Sequence, residues 1–248
     1  MIKIFFILLL VINIYAQEQK EKLTVGAGPY MQTQPYKGVD NILLPSPFFY
    51  YNDGLFYAKW TRFGVYFLGS KSDDYSWAFS LTIEPRVYGY KASDSQALNG
   101  MDERKTSIES GLAFSAQIDK VFVDAMLLTD ILYERDAWIF QTEIGYELKL
   151  GKFDIYPSLL ATYQSSKFTD HYYGVKANEA RASRAEYSAN AGVQLGLQTY
   201  IQYPLTENLA TLINLHAEKL SSEATASPIV EDSYIYSGLV SLIYTFKY

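Results

Sequence analysis

From Trp138 to Leu150 the chain reads WIFQTEIGYELKL, in which Trp138, Phe140, Thr142, Ile144, Tyr146 and Leu148 alternate with Gln141, Glu143, Gly145, Glu147 and Lys149. Side chains of a strand point to opposite faces with period two, so one face here is mainly apolar and the other carries two acids and a lysine. A dry core would leave those charges without partners. A ring of strands with lipid outside and polar groups inside removes the difficulty.

The same design recurs along the chain. In WAFSLTIEPRV, Trp77, Phe79, Leu81, Ile83 and Val87 face outward against Ser80, Thr82, Glu84 and Arg86. Val121, Val123, Ala125 and Leu127 oppose Asp124 and Asp130, while Glu109 joins the inward acids from the preceding segment. Val193, Leu195, Leu197 and Ile201 oppose Gln194, Gln198 and Gln202, and Ile213 and Leu215 oppose Asn214, His216 and Glu218. The chain closes on SGLVSLIYTFKY, whose outward row runs from Tyr236 through Val240 and Leu242 to Tyr244, Phe246 and Tyr248. After residue 16 no segment approaches the roughly 18 consecutive apolar residues of a membrane helix. The 23 tyrosines suit the aromatic girdles of a membrane barrel.

The amino end supplies an address. Lys3, an apolar run from Ile4 to Tyr15, and Ala16 before QEQKEK read as a secretory signal peptide over 1–16, leaving 17–248 as the barrel. The chain has no cysteine, which removes disulfides, thiol catalysis and thiolate metal sites. Its formal charge of −6 opposes nucleic-acid binding.

Eleven stretches read as strands, near 22–32, 41–51, 55–68, 75–91, 106–118, 120–134, 137–150, 153–166, 187–203, 208–220 and 233–248. A single-chain bacterial barrel with both ends on one side needs an even number. In LFYAKWTRFGVYFLG the apolar phase slips, from Phe56, Ala58 and Trp60 to Phe63, Val65 and Phe67. A slip marks a bulge or a turn between two short strands. Splitting there gives an antiparallel up-and-down barrel of about twelve strands; leaving the first stretch out of the wall gives ten. The short connections at 118–120, 150–152 and 204–208 read as periplasmic turns, and the long ones at 91–105, 167–186 and 221–232 as surface loops. ANEARASRAEYS, at 177–188, has a helix-like composition.

The run VGAGPYMQTQPYKGVDNILLPSPFFYYNDGLFY, with Gly26, Gly28, Pro29, Tyr36, Gly38, Pro45, Pro47, Tyr51 and Gly54, resembles the amino-terminal part of the MipA/OmpV family. YYGVKANEA and ASPIVED are similar to later parts of that family. The resemblance implies a barrel in the outer membrane of a Gram-negative bacterium and a scaffold role, linking murein hydrolase and synthase proteins to the membrane. A terminal aromatic after alternating apolar residues, here Tyr244, Phe246 and Tyr248, resembles the signal read by the outer-membrane assembly machinery.

The expected partners are therefore outer-membrane lipid, that machinery and murein enzymes. A second reading takes the inward residues Glu84, Arg86, Glu109, Asp124, Asp130, Glu143, Glu147, Lys149, Asn214, His216 and Glu218 as the lining of a narrow cation-preferring pore, because acidic rings select by charge. A third is a lipid hydrolase built on Asn214, His216 and Glu218 with Ser237 or Ser241 from the next strand. With two histidines and no H-E-x-x-H motif, neither a metal site nor a cofactor is expected.

Overall fold

A computed structural model describes residues 22–87, 89–132 and 136–247. The proposed signal peptide and Tyr248 lie outside the described residues. Twelve strands form the wall: β1 Lys22–Gln32, β2 Ile42–Asn52, β3 Phe56–Lys59, β4 Arg62–Lys71, β5 Tyr75–Arg86, β6 Ser107–Ile118, β7 Val121–Asp130, β8 Trp138–Tyr146 continued by Leu148–Leu150, β9 Phe153–Gln164, β10 Gly192–Pro204, β11 Leu209–Lys219 and β12 Tyr234–Lys247. All pair antiparallel with their sequence neighbours, and β1 pairs with β12 to close the ring. Strand β8 pauses at Glu147, just after Tyr146, whose register position on β9 is Pro157, which has no N–H to give to the ladder.

Closure follows from the medium. An unpaired sheet edge in hydrocarbon leaves backbone groups unsatisfied, so the first strand must find the last. The register sets Leu23 against Phe246 and Val25 against Tyr244. Thr24 and Thr245 join their hydroxyls at 2.9 Å on the inner face. A Cβ at Gly28 would overlap the Val240 carbonyl, so only glycine allows this approach.

The phase slip is a turn. Lys59 pairs with Arg62 across a two-residue hairpin whose first central residue, Trp60, takes φ +57°. A bulge follows where the β4–β5 register shifts between Tyr66 and Leu68. Sequence patterning offered these as alternatives, and the chain uses both. Strand β3 is thereby only four residues long, and the β3–β4 hairpin stops well below the top of the wall.

Short turns, including 119–120 and 151–152, gather at the end that holds Lys22 and Lys247; the long connections gather at the other. There the loops fold together. Helix α1, Ser166–Tyr173, starts where the Ser165 side chain accepts the Phe168 N–H, and α2, Ser222–Thr225, starts likewise at Ser221. The helix-like 177–188 stretch forms one 3-10 turn at Ala177–Glu179 and then extended bridges, Arg181 to Arg184 and Val175 to Tyr187. Its alanines and charges favour a helix in isolation, but loop packing overrides that preference.

Candidate functional site

The lumen divides into a charged half and an apolar half. On the charged side, cross-strand register places Glu84 opposite Glu109 and Glu109 opposite Asp130. Like charges so placed repel, and two arginines relieve them. Arg62 Nε meets Glu84 at 2.7 Å, while Arg86 Nη2 reaches Glu109 at 2.7 Å and Glu84 at 3.6 Å. Asp130 accepts the Leu132 N–H at 2.7 Å. Arg62 was missed by patterning because it stands at the phase slip, where neither face can be assigned.

A second tier lies nearer the short turns. Ser115 donates to Asp124 at 2.5 Å, and Glu143 accepts from Ser158 at 2.6 Å and from Gln198 at 3.3 Å. Glu147 accepts from Gln117 at 3.0 Å. Lys149 stands at the rim rather than within the lumen, its side chain 75% exposed beside Asp154.

Asn214, His216 and Glu218 share the inner face of β11, and Ser237 is the register partner of His216. They do not assemble into a nucleophile and base. Among the described residues the buried His216 Nε2 has no hydrogen-bond partner, Ser237 is engaged by Tyr30, and Asn214 donates to the Thr199 carbonyl at 3.4 Å. Ser241 lies opposite Leu212 in an apolar stretch. Beside it, Phe48, Leu212, Leu239 and Ile243 form a cluster against which Tyr30 and Trp60 pack. This apolar half departs from the wholly polar interior that alternation suggests. Outside, Tyr244 and Phe246 meet edge to face at 4.9 Å on the lipid surface.

The long-loop end is capped. Leu98, Phe168, Tyr173 and Ile229 are enclosed in one core that reaches down to Ile139 and Leu128 of the wall. Above it, Arg104 pairs with Glu179 at 3.0 Å, Arg104 also holds the His171 carbonyl at 2.7 Å, and Arg184 donates to the carbonyls of Glu179 and Ala97. Burial pushes the Glu179 carboxyl up, but the N–H groups of Lys176 and Asp102 and the Arg104 charge outweigh it and hold it below the usual range. Burial also pushes the Tyr90 phenol up. A cleft of about 810 Å³ opens on the outer surface of the cap beside Lys105, Lys167, Asp170, His171 and Lys176. Among the described residues, no group of acids and histidines has the geometry to hold a metal ion.

Residues 25–246 match the family described as MltA-interacting protein MipA. The chain is 28% identical to outer membrane protein Omp26La of Vibrio anguillarum, over 89% of this chain and 84% of that one. It is 27% identical to outer membrane protein OmpV of Vibrio cholerae, over the same shares. Among solved structures, an outer membrane channel from Pseudomonas putida F1 superimposes with a TM-score of 0.45 at 11% identity, covering 94% of this chain and 98% of that one.

Proposed function

The chain belongs to the MipA family of Gram-negative outer-membrane barrel proteins, and from that premise we propose that it is a scaffold, not an enzyme or an open pore. In this reading it holds murein-remodelling proteins at the membrane, which is supported by a family description that names an MltA-interacting protein. One observation carries this reading: inward charges are paired along the β4–β6 wall, and an enclosed core covers the long-loop end. A conducting barrel needs a continuous aqueous path. Here two of the inward acids that favour a cation field, Glu84 and Glu109, are answered by Arg62 and Arg86, and the cap covers the long-loop end.

The short turns are the surface such a scaffold presents to the periplasm. Photocrosslinking from Lys120 and Glu207 in intact envelopes is expected to capture a murein hydrolase or synthase. Capture of lipid alone, together with solute flux through the purified protein, would overturn the scaffold reading.

A further inference from the structure

Because β3 and β4 turn back at Trp60–Thr61, the wall above that hairpin is missing two strands' width. On β2 the ladder towards β3 ends at Tyr50 opposite Lys59, although β2 continues to Ile42. On β5 the ladder towards β4 ends at Ile83 opposite Phe63, although β5 continues to Arg86. The result is a window bounded by β2, the hairpin and β5, and closed above where Gln32 Nε2 reaches the Val87 carbonyl at 3.4 Å.

The backbone at both jambs is adapted to having no neighbour. Trp60 N–H donates to the Phe49 carbonyl at 2.6 Å, so Phe49 turns its backbone towards the window side. Alternation turns residues 47, 45 and 43 the same way. Two of these are Pro47 and Pro45. On the opposite jamb, Ile131 N–H donates to the Ile108 carbonyl, so Ile108 faces β7 and its partner Pro85 faces away from β6, into the window. Proline removes the donor that an open edge would leave unsatisfied. Three prolines therefore stand where three N–H groups would otherwise point into the gap.

The lower part of the window lies at hydrocarbon depth: Pro47 is in register with Ala27 and through it with Leu242, whose side chain is apolar and exposed, whereas Leu43 stands one residue from the upper end of β2. An open edge facing lipid is not tolerated unless it is buried in protein or lines a water-filled cavity, so this edge needs an occupant that supplies hydrogen-bond donors. Leu44 belongs to the inward row of β2 and is 40% exposed, as is Tyr50 at the lower end of that row, whereas Ser46 and Phe48 between them are buried. Behind it lies the apolar half of the lumen, with Phe48, Tyr30 and Trp60, whose indole N–H bonds Ser46 at 3.2 Å. A partner strand does not fit, because a ladder needs donors that Pro45, Pro47 and Pro85 lack.

We propose that the window is a lateral port occupied by a bilayer lipid. Its acyl chain passes between the jambs onto the inner apolar cluster, and headgroup N–H or O–H donors bond the open carbonyls of Leu43 and Pro45, to which no described residue donates. With the axis capped, this is the route into the lumen from the membrane.

Trp60 is a native probe on the sill. In full-length protein carrying Trp77→Phe and Trp138→Phe, reconstituted in vesicles, phosphatidylethanolamine with brominated chains is expected to quench Trp60. Brominated phosphatidylcholine, which has no headgroup donor, should need roughly 2- to 10-fold more lipid for the same quenching, the ratio one net hydrogen bond supplies. Leu44→Phe, which narrows the port from inside, should reduce the quenching. Three results would each overturn the assignment: quenching by aqueous acrylamide but by neither lipid, equal quenching by both lipids, or no effect of Leu44→Phe, which would mean that bromine acts through the wall.

Discussion

Arg104 and Glu179 lie 75 residues apart in the chain and meet with Nη2 at 3.0 Å from both carboxylate oxygens, their side chains 4% and 1% exposed. Together they tie the loop after β5 to the loop after β9. Removing one partner of a buried pair leaves the other charged and uncompensated, at a cost of about 3–5 kcal/mol. Glu179→Ala should therefore open the cap without unfolding the wall. Limited proteolysis should cut the long loops of the variant while heat-modifiable migration stays normal; loops as resistant as in the wild type would contradict this role.

The same pair predicts an acid response. The folded Glu179 carboxyl sits below its unfolded value, so the stabilisation is fully present above the ordinary carboxylate pKa of about 4.3 and is lost as pH falls through the folded value. Protection of the cap amides, with exchange rates corrected for their intrinsic pH dependence, should fall as pH drops below about 4, and protection in the β1–β12 ladder should not. Glu179→Gln should abolish this pH dependence.

Conduction separates the scaffold from the pore. Inserted into a planar bilayer, the wild-type protein is expected to give no steady steps, since the enclosed core covers the long-loop end and charges are paired along the β4–β6 wall. Stable cation-selective steps from correctly folded protein would reverse the preference between the two readings.

Period-two patterning made the wall legible because lipid outside imposes a rule on every outward position, from Leu81 to Phe246. The phase slip at Trp60 located the extra hairpin for the same reason. The cap was not legible. SKFTDHYY reads as a polar loop, and it becomes a helix with Phe168, Tyr172 and Tyr173 buried only because distant loops cover it; Ser227, 54 residues later, donates to the Tyr173 carbonyl. Pairings of that range leave no local periodicity. Pro45, Pro47 and Pro85 were visible as residues, but their meaning depends on which way each backbone group faces, which needs the register.

His216 tests the hydrolase reading. Its Nε2 is buried without a partner among the described residues, so the imidazole contributes volume and no hydrogen bond at that atom. His216→Leu should leave stability within about 1 kcal/mol of wild type or raise it, because an unsatisfied buried polar atom is removed. A catalytic histidine would instead show itself as a lost lipid-deacylating activity in the variant at unchanged stability.

The closing strand carries the last prediction. Phe246 packs edge to face on Tyr244 at the short-turn rim of the lipid surface and is in register with Leu23, so it lies beside the seam that closes the ring. In that position an acidic side chain is cheap, since charges near the interface cost only about 0–1 kcal/mol, against about 2–4 for a cation at the midplane. Phe246→Asp should therefore refold in detergent nearly as well as the wild type. In cells the same change should sharply lower the folded, surface-accessible protein if the terminal aromatic row acts as the assembly signal that it resembles. Deleting Tyr248 should act in the same direction. Normal levels in cells would make this row an ordinary part of the lipid face, while equal failure in cells and in detergent would make it a requirement of ring closure itself.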